Sequence, residues 1–288
     1  MVVYNKMYFI VLILLLCLIV ILKFKKYNQP LENFNPTEKK RITLVMGYWY
    51  VNNNKKHDIA HYNKFIPKTF SSLKNFDIVF FYDDEEILKL VKDNLNLNLN
   101  NLKPIKKSVD KLPTYNYSNK LLELCKEQDN KELQSYNKGG EKGIVHCNRE
   151  LKLSGDEAYR KIVTIWTSKL LLLNECIDNN YFNNNRIAWC DVSITRVNNH
   201  IANKCLFYDI DYKPNKIYTL TNLMKYYGKQ LKLAAAYIYS DNNTMKQFIE
   251  LYKKELYSIN EKYCHDEETI INKIYEKQPQ LFEIIYKK

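Results

Sequence analysis

Two short stretches constrain the fold more than anything else in the chain. Asp77-Ile-Val-Phe-Phe-Tyr-Asp-Asp84 and Arg186-Ile-Ala-Trp-Cys-Asp191 are nearly continuous apolar runs of strand length, and each ends in carboxylates. A run without polar alternation reads as a strand buried on both faces, the pattern of a parallel sheet covered by helices. Around these runs the chain alternates. Arg41 to Gly47 reads as a strand, Ala60 to Leu73 and Glu85 to Val91 as helices. A longer helix spans Glu157 to Asn179, its apolar face carrying Ile162, Ile165, Trp166, Leu170, Leu173 and Ile177. Further strands are expected at Cys205 to Ile210, Lys216 to Thr221 and Leu231 to Ser240, and helices at Asn242 to Ile259 and Glu267 to Tyr275. The fold class is α/β, a mixed and mostly parallel sheet flanked by helices. Residues 94–156 carry an Asn-Leu repeat before Leu102 and the Gly139-Gly140 turn, and are expected to form an insertion or mobile loop.

Composition removes several function classes. Only 6 glycines occur in 288 residues, and none falls in a GxGxxG, GxxxxGK[ST] or GxSxG pattern; HExxH and CxxC are absent too. The formal charge is +12, from 44 Lys+Arg against 32 Asp+Glu. The excess is lysine, spread along the chain, with arginine only at positions 41, 149, 160, 186 and 196. A nucleic-acid surface concentrates arginine and aromatics in one patch. The charge is therefore read as solvated surface, and no nucleic-acid partner is expected.

Met7 to Leu22 is an uninterrupted apolar run, preceded by Lys6 and followed by Lys23, Lys25 and Lys26. It is slightly short for a ~30 Å hydrocarbon core, and Phe24 with snorkelling lysines extends it. A cleaved signal peptide would show a small-residue cleavage site, and none follows the run. The expected organisation is a tail at 1–6, a single-pass membrane anchor at 7–23, a stem at 24–40 with Pro30 and Pro36, and a domain at 41–288. Two orientations stand. The basic residues after the span favour a cytosolic domain, whereas the order of tail, anchor, stem and domain is that of lumen-facing enzymes. Two Asn-x-Ser/Thr sequons and seven cysteines without a framework pattern leave both open.

The candidate chemistry lies at strand ends, where ligands sit in open parallel sheets. Asp83 and Asp84 follow one strand and are equally well read as caps of the next helix. Asp191 follows another, with Ser193 and Arg196 on the same loop, and is the sharper candidate for a divalent ion or a hydroxyl. Lys169, on an apolar helix beside Thr164, Thr167 and Ser168, can reach a diphosphate; its plain reading is a solvent-facing lysine. In Cys264-His265-Asp266-Glu267, His265 is a candidate metal or phosphate contact and Asp266 or Glu267 a base, while Asp266 also reads as a helix cap. His57, His61, His146 and His200 lack partners at metal-ligand spacing and are assigned to surface or core.

Ile165-Trp-Thr-Ser-Lys169 and Ile187-Ala-Trp-Cys-Asp-Val-Ser-Ile-Thr-Arg196 resemble the W-x-S-K helix and W-x-D-x-G-x-x-R strand end of the HtrL/YibB family. The resemblance runs from Arg41 to about Phe282. It implies a GT-A-type nucleotide-diphospho-sugar transferase fold, and so a membrane-anchored glycosyltransferase with a glycan, lipid or protein acceptor. Under that resemblance Asp191 would hold Mn²⁺ or Mg²⁺, with His265 as a second candidate ligand. Lys169, Trp189, Ser193 and Arg196 would face the donor, and Gly47 with Asp83 or Asp84 would hold its nucleoside. Asp191, Asp266 and Glu267 would be the catalytic carboxylates. Ser193 departs from the family's Gly and from the second Asp of a metal-binding Asp-x-Asp. That departure keeps an alternative in view, an anchored glycan- or nucleotide-binding protein without activity.

Overall fold

The computed structural model describes residues 41–55, 58–73, 76–95, 98–127, 142–196, 212–226, 228–260 and 265–285. All belong to the unit spanning Lys40–Lys288. The expected anchor, tail and stem lie outside the described residues, as does the strand expected at 205–210. Among the described residues no helix is long and apolar enough to cross a membrane.

Seven strands form one sheet: β1 (Thr43–Tyr48), β2 (Asp77–Tyr82), β3 (Leu102–Lys106), β4 (Arg186–Cys190), β5 (Ile217–Thr221), β8 (Leu233–Asp241) and β9 (Phe282–Ile285). Their order is β3-β2-β1-β4-β8-β5-β9, with a separate hairpin of β6 (Lys225–Tyr226) and β7 (Lys229–Gln230). Four neighbouring pairs in the large sheet run parallel, and only β8 runs antiparallel to its neighbours β4 and β5. The mixed, mostly parallel sheet read from the apolar runs is therefore present.

Period-two alternation sends each strand's side chains to two separate cores. Leu44, Met46, Ile78, Phe80, Ala188 and Cys190 pack with helices α1 (Ile59–Ser72) and α2 (Glu85–Asn94). Val45, Val79, Phe81, Ile187 and Trp189 pack on the other face with α3 (Ser118–Lys126), α4 (Asp156–Asn179), α5 (Asn242–Tyr257) and α6 (Glu267–Lys277). Both faces are dry, which explains the apolar continuity of β2.

Within the stretch expected to be an insertion or mobile loop, the described residues build part of the fold. They supply edge strand β3, helix α3 and a π-helical segment, His146–Leu151. β3 escaped the pattern because it is an edge strand, half exposed and carrying Pro104, which an edge tolerates.

Candidate active site

The strand order reverses between β1 and β4. One chain path leads outward through β2 and β3, the other through β8 and β5. The crevice beyond the carboxyl ends of such strands is where open α/β sheets take ligands. A cavity of about 150 Å³ opens there, lined by Gly47 and Tyr48 of β1 and Trp49 after it, and by Trp189 of β4 with Asp191 and Ser193 after it. Lys169, Arg196, His146, Asp266, Glu267 and Glu268 complete its polar wall. A second hollow of about 540 Å³ shares Val51 and Asn54 with it and adds Tyr50, Asn52, Asn53 and His61.

Lys169 is not a solvent lysine. Its ammonium lies 2.9 Å from Asp191 Oδ1 and 2.7 Å from Glu267 Oε1, and its side chain is only 7% exposed. Burial by itself would depress its pKa. The carboxylates of Asp191 and Glu267 outweigh burial and leave it raised. The helix that carries it is fixed from behind. Buried Thr114 Oγ1 donates to Thr164 O at 3.0 Å and pairs with the hydroxyls of Thr167 and Ser168, both at 2.8 Å. Tyr252 donates to Thr167 O at 3.0 Å. The small polar residues around Lys169 thus anchor α4 and leave the cavity to the lysine.

Asp191 is held from several sides. The Trp189 indole N–H donates to Oδ1 at 2.8 Å, and Arg196 lies 3.6 Å from Oδ2. Its own amide donates to Ala236 O, continuing the sheet, after which Ile194 N–H donates to Asp191 O and turns the chain back. Thr195 then meets Thr69 of α1 at 3.1 Å, so the turn that carries Arg196 is pinned to a helix. Tyr62, from α1, also lines the cavity, and burial pushes its pKa up to about 12.

The Asp266–Glu267 pair divides its work. Asp266 is the N-cap of α6 in a full capping box: its carboxylate accepts from Thr269 N–H at 2.9 Å, and Thr269 Oγ1 accepts from its amide at 3.0 Å. Its second oxygen lies 3.6 Å from His146 Nε2. Glu267 reaches Lys169, and Glu268 accepts from Ala235 N–H and from Asn222. His265 is turned to the Tyr226 hydroxyl, 3.0 Å from Nδ1, and is not among the residues lining the cavity. Asp84 caps α2 through Glu86 N–H, and Asp83 stands beside it; burial raises the Asp83 pKa against the backbone amides of Tyr50, Asp83 and Asp84. Neither lines the cavity.

His146, assigned from the sequence to surface or core, is buried and also lines the cavity. It lies on the π-helical segment, its ring 5.0 Å from that of Trp166, with Asp266 behind it. The partner stands 120 positions away in sequence, so no local spacing announces it; the irregular helix is a recurrent mark of functional segments.

The residues present do not fit a divalent cation. Any ion bridging Asp191 and Glu267 would have to take the place of the Lys169 ammonium. Each unit of positive charge ~4 Å from that ammonium costs about 4 kcal/mol at an effective dielectric of ~20. Among the described residues no group of three His, Cys, Asp or Glu side chains is arranged around a metal-sized point.

No curated protein matches the chain. Among solved structures, apo mouse xyloside xylosyltransferase 1 aligns with 85% of this chain and 85% of its own, at 10% identity and a TM-score of 0.39. The apo glycosyltransferase GlyE of Streptococcus pneumoniae TIGR4 aligns with 86% of this chain, at 9% identity and a TM-score of 0.38; the chain spans 45% of that protein. Both structural neighbours are glycosyltransferases. The family model described as "Bacterial protein of unknown function (HtrL_YibB)" matches residues 41–288, the whole of the stretch in which the W-x-S-K helix and the Asp191 strand end meet, and the chain belongs to that family.

Proposed function

We propose that the protein is a membrane-anchored glycosyltransferase that moves a sugar from a nucleotide-diphosphate donor to a glycan, lipid or protein acceptor. The observation that carries this reading is the convergence of Lys169 and Arg196 on Asp191, beside Glu267, at the point where the strand order reverses. Two cations fixed in a cleft at a strand switch point suit an anionic ligand.

In this reading the acceptor oxygen bonds to the sugar's anomeric carbon and gives its proton to a base, the bond from that carbon to the diphosphate oxygen breaks, and negative charge grows on the departing nucleoside diphosphate. Lys169 and Arg196 stabilise that charge, and being prearranged they need little reorganisation as it forms. Asp191, fixed by the Trp189 indole, holds both cations in register. Of the two carboxylates considered as base, Glu267 is paired with the Lys169 ammonium and Asp266 with the helix cap and His146, so whichever accepts the proton must first give up that partner. The wider hollow beyond Val51 and Asn54 has the volume of a small-molecule site and offers room for sugar and acceptor.

The test uses the full-length protein, a panel of nucleotide sugars and the release of nucleoside diphosphate. Turnover with one donor, lost by about 100-fold or more in Asp191→Asn with the fold intact, is the expected result. Asn keeps an acceptor for the Trp189 indole but not the charge. Unchanged turnover in that variant would remove Asp191 from the mechanism. Nucleotide or glycan binding without turnover would favour the inactive binding protein that Ser193, in place of a second carboxylate, suggests.

A further inference from the structure

We infer that this site handles its donor without a divalent cation, the Lys169 ammonium standing where an ion would join carboxylate to diphosphate. The inference rests on the transferase reading above and adds what that reading leaves open, the source of the positive charge.

The argument begins with the donor set. A metal ion on this wall would need oxygens from at least two acidic side chains at one point. Asp191 and Glu267 are the pair that meets, and they meet on the Lys169 ammonium at 2.9 and 2.7 Å. Asp191 Oδ1 accepts from the Trp189 indole as well, and its Oδ2 faces Arg196. The remaining carboxylates of the cavity wall have other work. Asp266 accepts from Thr269 N–H and faces His146. Glu268 accepts from Ala235 N–H at 3.0 Å and from Asn222 at 2.8 Å. Ser193 stands two residues after Asp191, where a second carboxylate would have helped bind an ion. His265 is engaged with Tyr226.

The ammonium is also firmly placed. It extends from the middle of a 24-residue helix whose neighbouring turn is tied to Thr114 and Tyr252. Two of its three protons serve Asp191 and Glu267, and the third suits a phosphate oxygen. Arg196, 29% exposed at the same carboxylate, adds a second positive charge and a planar fork that matches phosphate. Together they bring the two charges that a divalent ion would bring, offset by Asp191 and Glu267 as an ion's charge is by its carboxylate ligands, and they are covalently fixed to the scaffold.

The test measures binding of UDP, GDP and CDP to the full-length protein by calorimetry, once with excess EDTA and once with excess Mn²⁺, alongside the spin resonance of Mn²⁺ mixed with the protein alone. The expected result is that the nucleotide that binds does so with an affinity differing by less than about twofold between the two conditions, and that the free-Mn²⁺ signal is not diminished by protein. In Lys169→Gln the same affinity should fall by roughly tenfold or more. Binding that needs Mn²⁺, or a quenched Mn²⁺ signal, would overturn the inference and leave the transferase reading standing. If no nucleotide binds under either condition, both fall together.

Discussion

Taking the ammonium from Lys169 leaves Asp191 and Glu267 facing each other in a buried site. Unpairing a buried ion cluster costs about 3–5 kcal/mol, so Lys169→Met should lower the urea midpoint strongly. Adding Glu267→Gln should recover part of the loss, because one of the two facing charges is then removed. Gly47 shows a different constraint. A Cβ there would lie 2.5 Å from the Trp49 ring, whose indole N–H donates to Lys107 O at 2.7 Å. Gly47→Ala must displace that ring and should cost roughly 1–3 kcal/mol by thermal or urea unfolding. It should also alter the cavity rim that both residues line. His146→Asn keeps much of the size but removes the imidazole beside Asp266. Donor turnover should fall while nucleotide binding by calorimetry persists; loss of both together would make His146 a structural residue. Of these residues, Asp191 and Arg196 stood out in the sequence because both lie on one short loop. Lys169 was legible only through the W-x-S-K resemblance, because a lone lysine on a helix looks the same whether it faces water or a carboxylate. His146 had no signal, its partner being on a distant element.

The helices divide into those declared by their own residues and those held by others. Asp58, Asp84, Asp241 and Asp266 cap α1, α2, α5 and α6, each accepting from an amide of the first turn. Asp84→Ala should cost about 1 kcal/mol, read by denaturant unfolding, and leave any donor affinity unchanged, since Asp84 is outside the cavity wall. α4 has no capping side chain at Gly155 and depends on tertiary bonds to Thr114. Thr114→Val removes a hydroxyl with three partners from a fully buried position. It should cost about 2 kcal/mol, by the price of unsatisfied buried groups. Because α4 carries Lys169, it should weaken nucleotide binding too. Local propensity located these elements, since caps and apolar periodicity lie within a few residues of each other. β3, α3 and the π-helical segment were missed because their stability comes from the edge of β2 and from neighbouring helices.

At the scale of the molecule, the interior holds many tyrosines with raised pKa values. Burial pushes Tyr159, Tyr237 and Tyr252 well above the usual phenol range and Tyr62 up to about 12. The native state keeps these protons above pH 10, where the unfolded chain releases them, so stability falls as pH rises past 10. Each group contributes a slope of about 1.4 kcal/mol per pH unit there. Lys169 acts in the same direction, its contribution being lost as pH climbs through its raised value. Urea midpoints at neutral and strongly alkaline pH check the sign. Cys125 is disulfide-bonded, a bond that persists in oxidising compartments. For the membrane-anchored protein proposed above, protease protection in sealed vesicles should show the domain on that oxidising side, and digestion from the cytosolic side would place it opposite. The alternation of buried strands and amphipathic helices was legible along the chain, because burial on two faces writes itself into consecutive residues. The sequence also marked Asp191 as a strand-end carboxylate. That Lys169 from α4, Asp191 just after β4, Glu267 from α6 and His146 from the π-helical segment share one cavity follows from the packing of the whole domain. Charges a hundred residues apart become partners through the strand order, and no pattern within a single element encodes that order.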